Sequence, residues 1–170
     1  SNLTHGAMTG RMLESIEIVL LEEMPDLVLI YGDTNSTLSG VLAAKKMHIQ
    51  VAHVEAGLRS YNMKMPEEIN RIVADRLSDY LFCPSQNSVK NLQDEGIVSG
   101  VFNVGDVMFD ATLFFKEKAK KIINFKKLGV KEDEYVLCTI HRAENTDNTS
   151  KLDSIFRALK KISTSIPVVL

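Results

Sequence analysis

The chain has 170 residues, 45% apolar and 25% charged, a balance that can bury a core and that matches an ordinary globular domain. A formal net charge of −2 without a sustained basic run removes the electrostatic basis for binding nucleic acid or an acidic membrane. No apolar run approaches the ~20 residues that span a bilayer, and the opening SNLTHGAMTG carries no apolar signal core.

Taken in chain order, MTGRMLESIEIVLLEEM places Met12, Ile16, Val19 and Leu20 on one helical face, closed by Pro25-Asp26. DLVLIYG (26–32) is too short and too β-rich for a helix and reads as a buried strand. STLSGVLAAKKMH predicts a helix, QVAHVE a strand and EEINRIVADRLSDY a helix. YLFCPS then predicts a strand, QNSVKNLQDEG a helix stopped by Gly96, and VFNVGD a strand. A long helix begins near Val107, and its basic stretch KEKAKKIINFKK (116–127) reads as a solvated face because apolar residues interrupt the charges at helical spacing. Beyond Gly129 come YVLCTIHR as a strand, SKLDSIFRALKKIS as a helix and IPVVL as a last strand.

Cys83 and Cys138 each lie inside an apolar strand-like run and are expected to be small core residues rather than a disulfide or metal pair. A reducing cytoplasm is the compartment this implies. Strands alternating with helices across short connections give an α/β fold whose parallel sheet is covered on both faces. The break near Gly105 suggests two α/β units, residues 1–105 and 106–170. A start without a preceding strand and a final strand without a covering helix mark the chain as an expected fragment of a longer protein.

Ligands of open parallel sheets bind beyond the carboxyl ends of the strands, where loops and helix N-termini converge. Four strand ends carry polar groups there: GDTNST, EAGLRS, PSQNS and HRAEN. In the first, Thr34, Asn35 and Ser36 suit a helix cap, as does Asp33, whose carboxylate can alternatively face a ligand. Glu55 ends an apolar strand where no local backbone role needs it. His53, two positions earlier, reads as a hydrogen-bonded core histidine. Arg59 can pair with Glu55 or reach a phosphate. MPEEINR (65–71) has Pro66 at a helix start with Glu67 and Glu68 in the first turn, which suits the helix dipole and also brings further carboxylates to the same rim. Crowded carboxylates raise one pKa, as acid and base chemistry near neutrality requires. In HRAEN, His141 and Arg142 suit a diphosphate, while Glu144 or Asn145 can cap the next helix.

With GDTNSTLSG, HVEAGLRS, MPEEINR and HRAEN in this order and at these spacings, the chain resembles the non-hydrolysing UDP-N-acetylglucosamine 2-epimerases. THGAMTGRML, PDLVLIYGD, DYLFCPS and GDVMFDAT extend the likeness over almost all of the chain. The resemblance implies two Rossmann-like domains of the GT-B architecture: residues 1–105 as the C-terminal part of the first, and 106–170 as a linker helix with the start of the second. It implies interconversion of UDP-GlcNAc and UDP-ManNAc in the cytoplasm, for surface polysaccharides, through elimination and re-addition of UDP. It implies neither metal nor other cofactor, and it raises the expectation of a homodimer.

Position by position, the resemblance makes Asp33, Glu55, Glu67 and His141 the catalytic residues, and Arg142, Glu144 and Asn145 substrate-binding residues. Arg59 becomes a structural or regulatory partner. The family's Gly/Thr-Arg-Pro-Glu and Asn-Ser-Ser-Gly segments are absent, so the chain by itself is expected to be inactive or weakly binding. Competing readings are a hydrolysing 2-epimerase, a GT-B glycosyltransferase and a non-catalytic nucleotide-sugar-binding module.

Overall fold

The computed structural model describes residues 3–170, apart from the side chains of Lys126, Ala143 and Glu144. The chain forms two compact units, the first ending at Leu113 and the second starting at Phe114.

The first unit runs α1 (His5–Glu23), β1 (Leu27–Tyr31), α2 (Asn35–Lys46), β2 (Gln50–Val54), α3 (Pro66–Leu77), β3 (Tyr80–Cys83), α4 (Gln86–Asp94) and β4 (Val101–Asn103). The four strands form one parallel sheet in the order β1-β2-β3-β4. The α/β class and parallel sheet expected from the alternating pattern are therefore present. Because the strands are sequential neighbours, the carboxyl ends of β1, β2 and β3 line up along one edge, and the loops bearing GDTNST, EAGLRS and PSQNS leave from it side by side.

Strand alternation decides which side chains are buried. Val28 and Ile30 pack with Val51, Leu20, Val41, Ala43, Ala44 and Ala74 in a core built from α1, α2 and α3, while Leu81 and Cys83 pack with Ala56 and Leu92 of α4. The residues between them, Leu27, Leu29 and Tyr31 on β1 and Phe102 on β4, point the other way and are exposed. Coverage of both faces, expected from the sequence, thus holds for one face of the edge strands among the described residues. Gly40 lets α2 approach β1 closely, since a Cβ there would stand 3.1 Å from Ile30 Cγ2.

α1 ends two residues before Pro25, with Met24 between them in the left-handed conformation and its N–H on the Leu20 carbonyl. α2 is capped at Thr34, whose N–H donates to Thr37 Oγ1 at 3.2 Å. The Thr37 hydroxyl donates in turn to the Tyr31 carbonyl at 2.6 Å, fastening the helix start to the end of β1. α4 is capped at Ser85, whose Oγ accepts from the Ser88 N–H.

α5 (Val107–Ile122) spans the division between the units, and a 3₁₀ turn (Phe125–Leu128) follows it. The second unit then forms β5 (Val136–Leu137), α6 (Ala143–Thr146), α7 (Thr149–Ile162) and β6 (Val168–Val169). β5 and β6 pair in parallel, with Val136 N–H on Pro167 O at 2.8 Å and Cys138 N–H on Val169 O at 2.9 Å. The eight residues read as a strand from Tyr135 to Arg142 contribute only two to the ladder, because β6 itself offers two partners. Cys138 is half-buried rather than a core residue, whereas Cys83 is fully buried. No described helix is long and apolar enough to cross a membrane.

Candidate active site

The turn after β2 has an unusual backbone. Glu55 adopts φ 71° and Gly57 φ 77°. Glycine tolerates the left-handed region freely, but for glutamate it costs ~1–2 kcal/mol. Two left-handed residues close together swing the chain out of the sheet and leave the Glu55 side chain half-buried at the rim, with Ala56 sealed beneath it. Glu55 Oε2 lies against the neighbouring turn, 3.6 Å from where a Cβ on Gly32 would stand.

Asp33 follows Gly32 directly. Its carboxylate pairs with Arg71 of α3, and its carbonyl accepts from Asn70 Nδ2 at 2.9 Å. Asn70 also donates to Asn35 Oδ1 at 3.2 Å, so α3 and the start of α2 are pinned together through the Asp33 turn. Glu67 stands half-buried in the first turn of α3. A cleft of about 210 Å³ opens beside it, lined by His5, Met8, Met12, Asn35, Glu67 and Asn70 among others. Asp33 and Glu55 accordingly share the rim at the carboxyl ends of β1 and β2, and Glu67 stands in the first turn of α3, one helical turn before the Asn70 and Arg71 that hold Asp33. Glu55 and Glu67 make no hydrogen bond or ion pair with the described residues, which distinguishes them from the acidic groups around them.

Glu68, next in sequence to Glu67, behaves oppositely. It is 1% exposed; its Oε2 accepts from Ser60 N–H (2.9 Å), Ser60 Oγ (2.8 Å) and Arg71 (3.1 Å), and its Oε1 from Tyr61 N–H (2.9 Å). Burial opposes its charge, yet the hydrogen bonds from Ser60 and Tyr61 and the Arg71 guanidinium outweigh that and hold the carboxyl below the usual glutamate range. Of the paired glutamates at the helix start, one is thus left for the cleft and the other fastens the loop that leads into α3.

The whole of the chain matches the model of the family described as UDP-N-acetylglucosamine 2-epimerase, over residues 1–170. The chain belongs to this epimerase family. It is 54% identical over 98% of its length to the UDP-2,3-diacetamido-2,3-dideoxy-D-glucuronate 2-epimerase of Pseudomonas aeruginosa, covering 47% of that protein. With the UDP-N-acetylglucosamine 2-epimerase of Methanocaldococcus jannaschii it shares 48% identity over 94% of its length and 44% of the relative's. A crystal structure of the M. jannaschii enzyme in complex with UDP-GlcNAc and UDP superposes with a TM-score of 0.85 at 46% identity, over 96% of this chain and 46% of that one. The enzyme of Neisseria meningitidis bound to UDP-GlcNAc gives 0.85 at 33% identity, over 99% and 49%. The chain therefore spans about half the length of the relatives it matches. These structural neighbours are GT-B-type epimerases, the architecture that the motifs imply.

In this epimerase-family chain Arg59 contacts neither Glu55 nor an open rim. Its side chain is 1% exposed; it donates to Glu95 through Nε (2.6 Å) and Nη2 (2.7 Å), and to Asp75 Oδ2 through Nη1 (2.7 Å). Burial alone would lower the Arg59 pKa, but hydrogen bonds to Glu95 and Asp75 outweigh it and raise it. Pairing with Glu55 was one option left by the sequence; Asp75 of α3 and Glu95, which follows α4, occupy the guanidinium instead. Asp75 Oδ1 meets His53 Nδ1 at 2.7 Å, and His53 Nε2 meets the Gly32 carbonyl at 2.7 Å, so His53 is a buried, hydrogen-bonded residue as its apolar strand suggests. Sequence reasoning missed Asn70, Arg71, Asp75 and Glu95. A signal for the first two existed: they lie three and four positions after Glu67, on its face of α3.

In the second unit His141 and Arg142 are exposed and precede α6. The Arg142 carbonyl accepts from Asn145 N–H (2.9 Å) and Thr146 N–H (3.0 Å). Asn145 lies inside α6 and does not cap α7; that role falls to Asn148, whose side chain accepts from Lys151 N–H at 3.0 Å. The Glu144 side chain lies outside the described residues.

Proposed function

We propose that the protein is a UDP-sugar 2-epimerase of the non-hydrolysing kind, interconverting UDP-GlcNAc and UDP-ManNAc. The observation that carries this is Asp33 and Glu55 side by side at two strand ends, with Glu67 beside a cleft on the helix that holds Asp33, in a chain that superposes on an epimerase holding UDP-GlcNAc. One carboxylate takes the C2 proton as the C1–O bond breaks, and UDP leaves with the bonding pair to give a 2-acetamidoglucal. In the return step a UDP oxygen re-forms the C1–O bond and a proton reaches the opposite face of C2. The proton removed is replaced, so the cycle has no net redox demand and acid and base groups suffice. We assign the first unit to the N-terminal Rossmann-like domain and the second to the start of the C-terminal one. His141 and Arg142, with Glu144 and Asn145, then serve the diphosphate side of a cytoplasmic, homodimeric enzyme.

A second reading keeps the chemistry and changes the sugar: the 54% identity to the P. aeruginosa relative favours UDP-2,3-diacetamido-2,3-dideoxy-D-glucuronate. Incubating the complete protein with each nucleotide sugar in deuterated water tests both. Deuterium at C2 of two epimers supports the reaction, and the sugar that exchanges identifies the substrate. Free UDP with a free hexosamine points to a hydrolysing enzyme. Retained protium without a second epimer, for both sugars, overturns the proposal.

A further inference from the structure

An ionic chain runs beneath the rim. His53 lies within β2 at 0% exposure, and neither it nor Asp75 borders the cleft described above. Both His53 nitrogens face acceptors at 2.7 Å: the Gly32 carbonyl on one side, Asp75 Oδ1 on the other. Both contacts become hydrogen bonds only when each ring nitrogen donates. The other Asp75 oxygen accepts from Gly57 N–H (3.0 Å) and Arg59 Nη1 (2.7 Å), and Arg59 continues to Glu95. On one side of the imidazole is the residue preceding Asp33; on the other, through a single carboxylate, is the backbone of the turn that carries Glu55. Apart from this path, the two strand ends are joined directly by one backbone hydrogen bond, Gly32 N–H on the Val54 carbonyl at 3.1 Å, one residue short of Glu55.

We propose that His53 is a positioning residue that fixes the Asp33 turn and the Glu55 turn relative to each other, using Asp75 as its second arm. The proposal rests on the reading of Asp33 and Glu55 as one site. Its energetic basis is the cost of leaving a buried acceptor unmet: without the imidazole, the buried Asp75 Oδ1 loses a partner, and the part-buried Gly32 carbonyl loses its link to it. The two turns are then held to each other only by the Gly32 N–H to Val54 O bond, which leaves their side chains free to shift relative to one another. A misplacement of about 1 Å between acid and base costs ~100-fold in rate while leaving nucleotide contacts untouched.

The test uses the complete protein with His53→Gln, which offers an amide donor of similar reach, and Arg59→Lys as a comparison that disturbs only the Glu55 side. Hydrogen–deuterium exchange reads position directly. In His53→Gln, amides of residues 32–35 and 56–59 lose protection together; in Arg59→Lys only the second group does. C2 exchange falls ~100-fold in His53→Gln with KM for the nucleotide sugar changed less than about threefold. The proposal is overturned if one turn alone loosens in His53→Gln, if exchange is near wild type, or if binding and turnover fall in parallel. Should His53→Gln fail to fold, His53→Asn with the same amide readout decides between the same outcomes. If the wild type exchanges no C2 proton, the epimerase reading fails by itself, and the amide pattern still tests the coupling of the turns.

Discussion

Replacing Glu68 by Gln removes one charge from the fully enclosed end of α3 and leaves the volume unchanged. The carboxylate accepts four hydrogen bonds, three on Oε2 and one on Oε1. An amide has one oxygen. Turned toward Ser60 and Arg71, it points its NH₂ at the Tyr61 N–H, so that this part-buried donor loses its partner at ~1 kcal/mol. The three remaining bonds lose the share of their strength that came from the negative charge, roughly half of ~1.5–3 kcal/mol each to the cationic and backbone donors. Arg71 also loses one of its two carboxylate partners. After relaxation the sum is about 3–5 kcal/mol, the range for breaking a buried charged pair and a large fraction of a domain's ~5–15 kcal/mol. Urea unfolding followed by circular dichroism at 222 nm reads it, since the chain has no tryptophan. At an m-value of ~2 kcal/mol per M the midpoint falls by roughly 2 M. A loss below about 1 kcal/mol would refute the claim that this carboxylate holds the loop. The pH dependence carries a second check with a fixed sign. Glu68 has a native pKa below its usual 4.5, so its contribution is complete above that value and disappears as the pH falls through the lower native one. The difference between wild type and variant should be constant from pH 6 to 8 and shrink below about 4.5.

Gly57→Ala adds a methyl 2.4 Å from the Ser88 carbonyl oxygen and 3.1 Å from Leu92 Cγ, at φ 77°; it should cost upward of 3 kcal/mol, read in the same unfolding curves, and a loss under 1 kcal/mol would mean the turn moves freely. Glu55→Gln keeps the shape of the half-buried side chain and removes its basicity, so C2 deuterium exchange should drop by ~100-fold or more with the melting temperature within about 2 °C; substantial residual exchange would make Glu55 structural. Thiol labelling under native conditions at pH 8 should modify the half-buried Cys138 and spare Cys83, whose thiol burial and the nearby Asp75 charge push up to about 11; equal labelling rates would place Cys83 in a less sealed core.

Much of the fold was legible because its signals are local. β1 is an uninterrupted apolar run between Pro25 and Gly32, and each later strand is spaced from it by a helix-length segment with polar caps. Asp33 and Glu55 were legible as rim residues for the same reason: a strand's end fixes where the next side chain goes. Their neighbours were not. Arg59 joins Asp75 and Glu95, sixteen and thirty-six positions away, and helix periodicity alone does not choose between those carboxylates and Glu55. Glu67 and Glu68 are chemically identical in a helical first turn; only the packing of the Ser60–Tyr61 loop turns one inward. The segment around β5 read as a longer strand because apolar alternation continues past Leu137, whereas ladder length depends on the partner.

The backbone at Glu55 has an evolutionary consequence. A glutamate held at φ 71° occupies a position where glycine would sit more comfortably. Variants screened for heat resistance alone should drift there toward glycine or asparagine, while screening for turnover should return the acidic side chain. The two pressures meet at a single torsion angle.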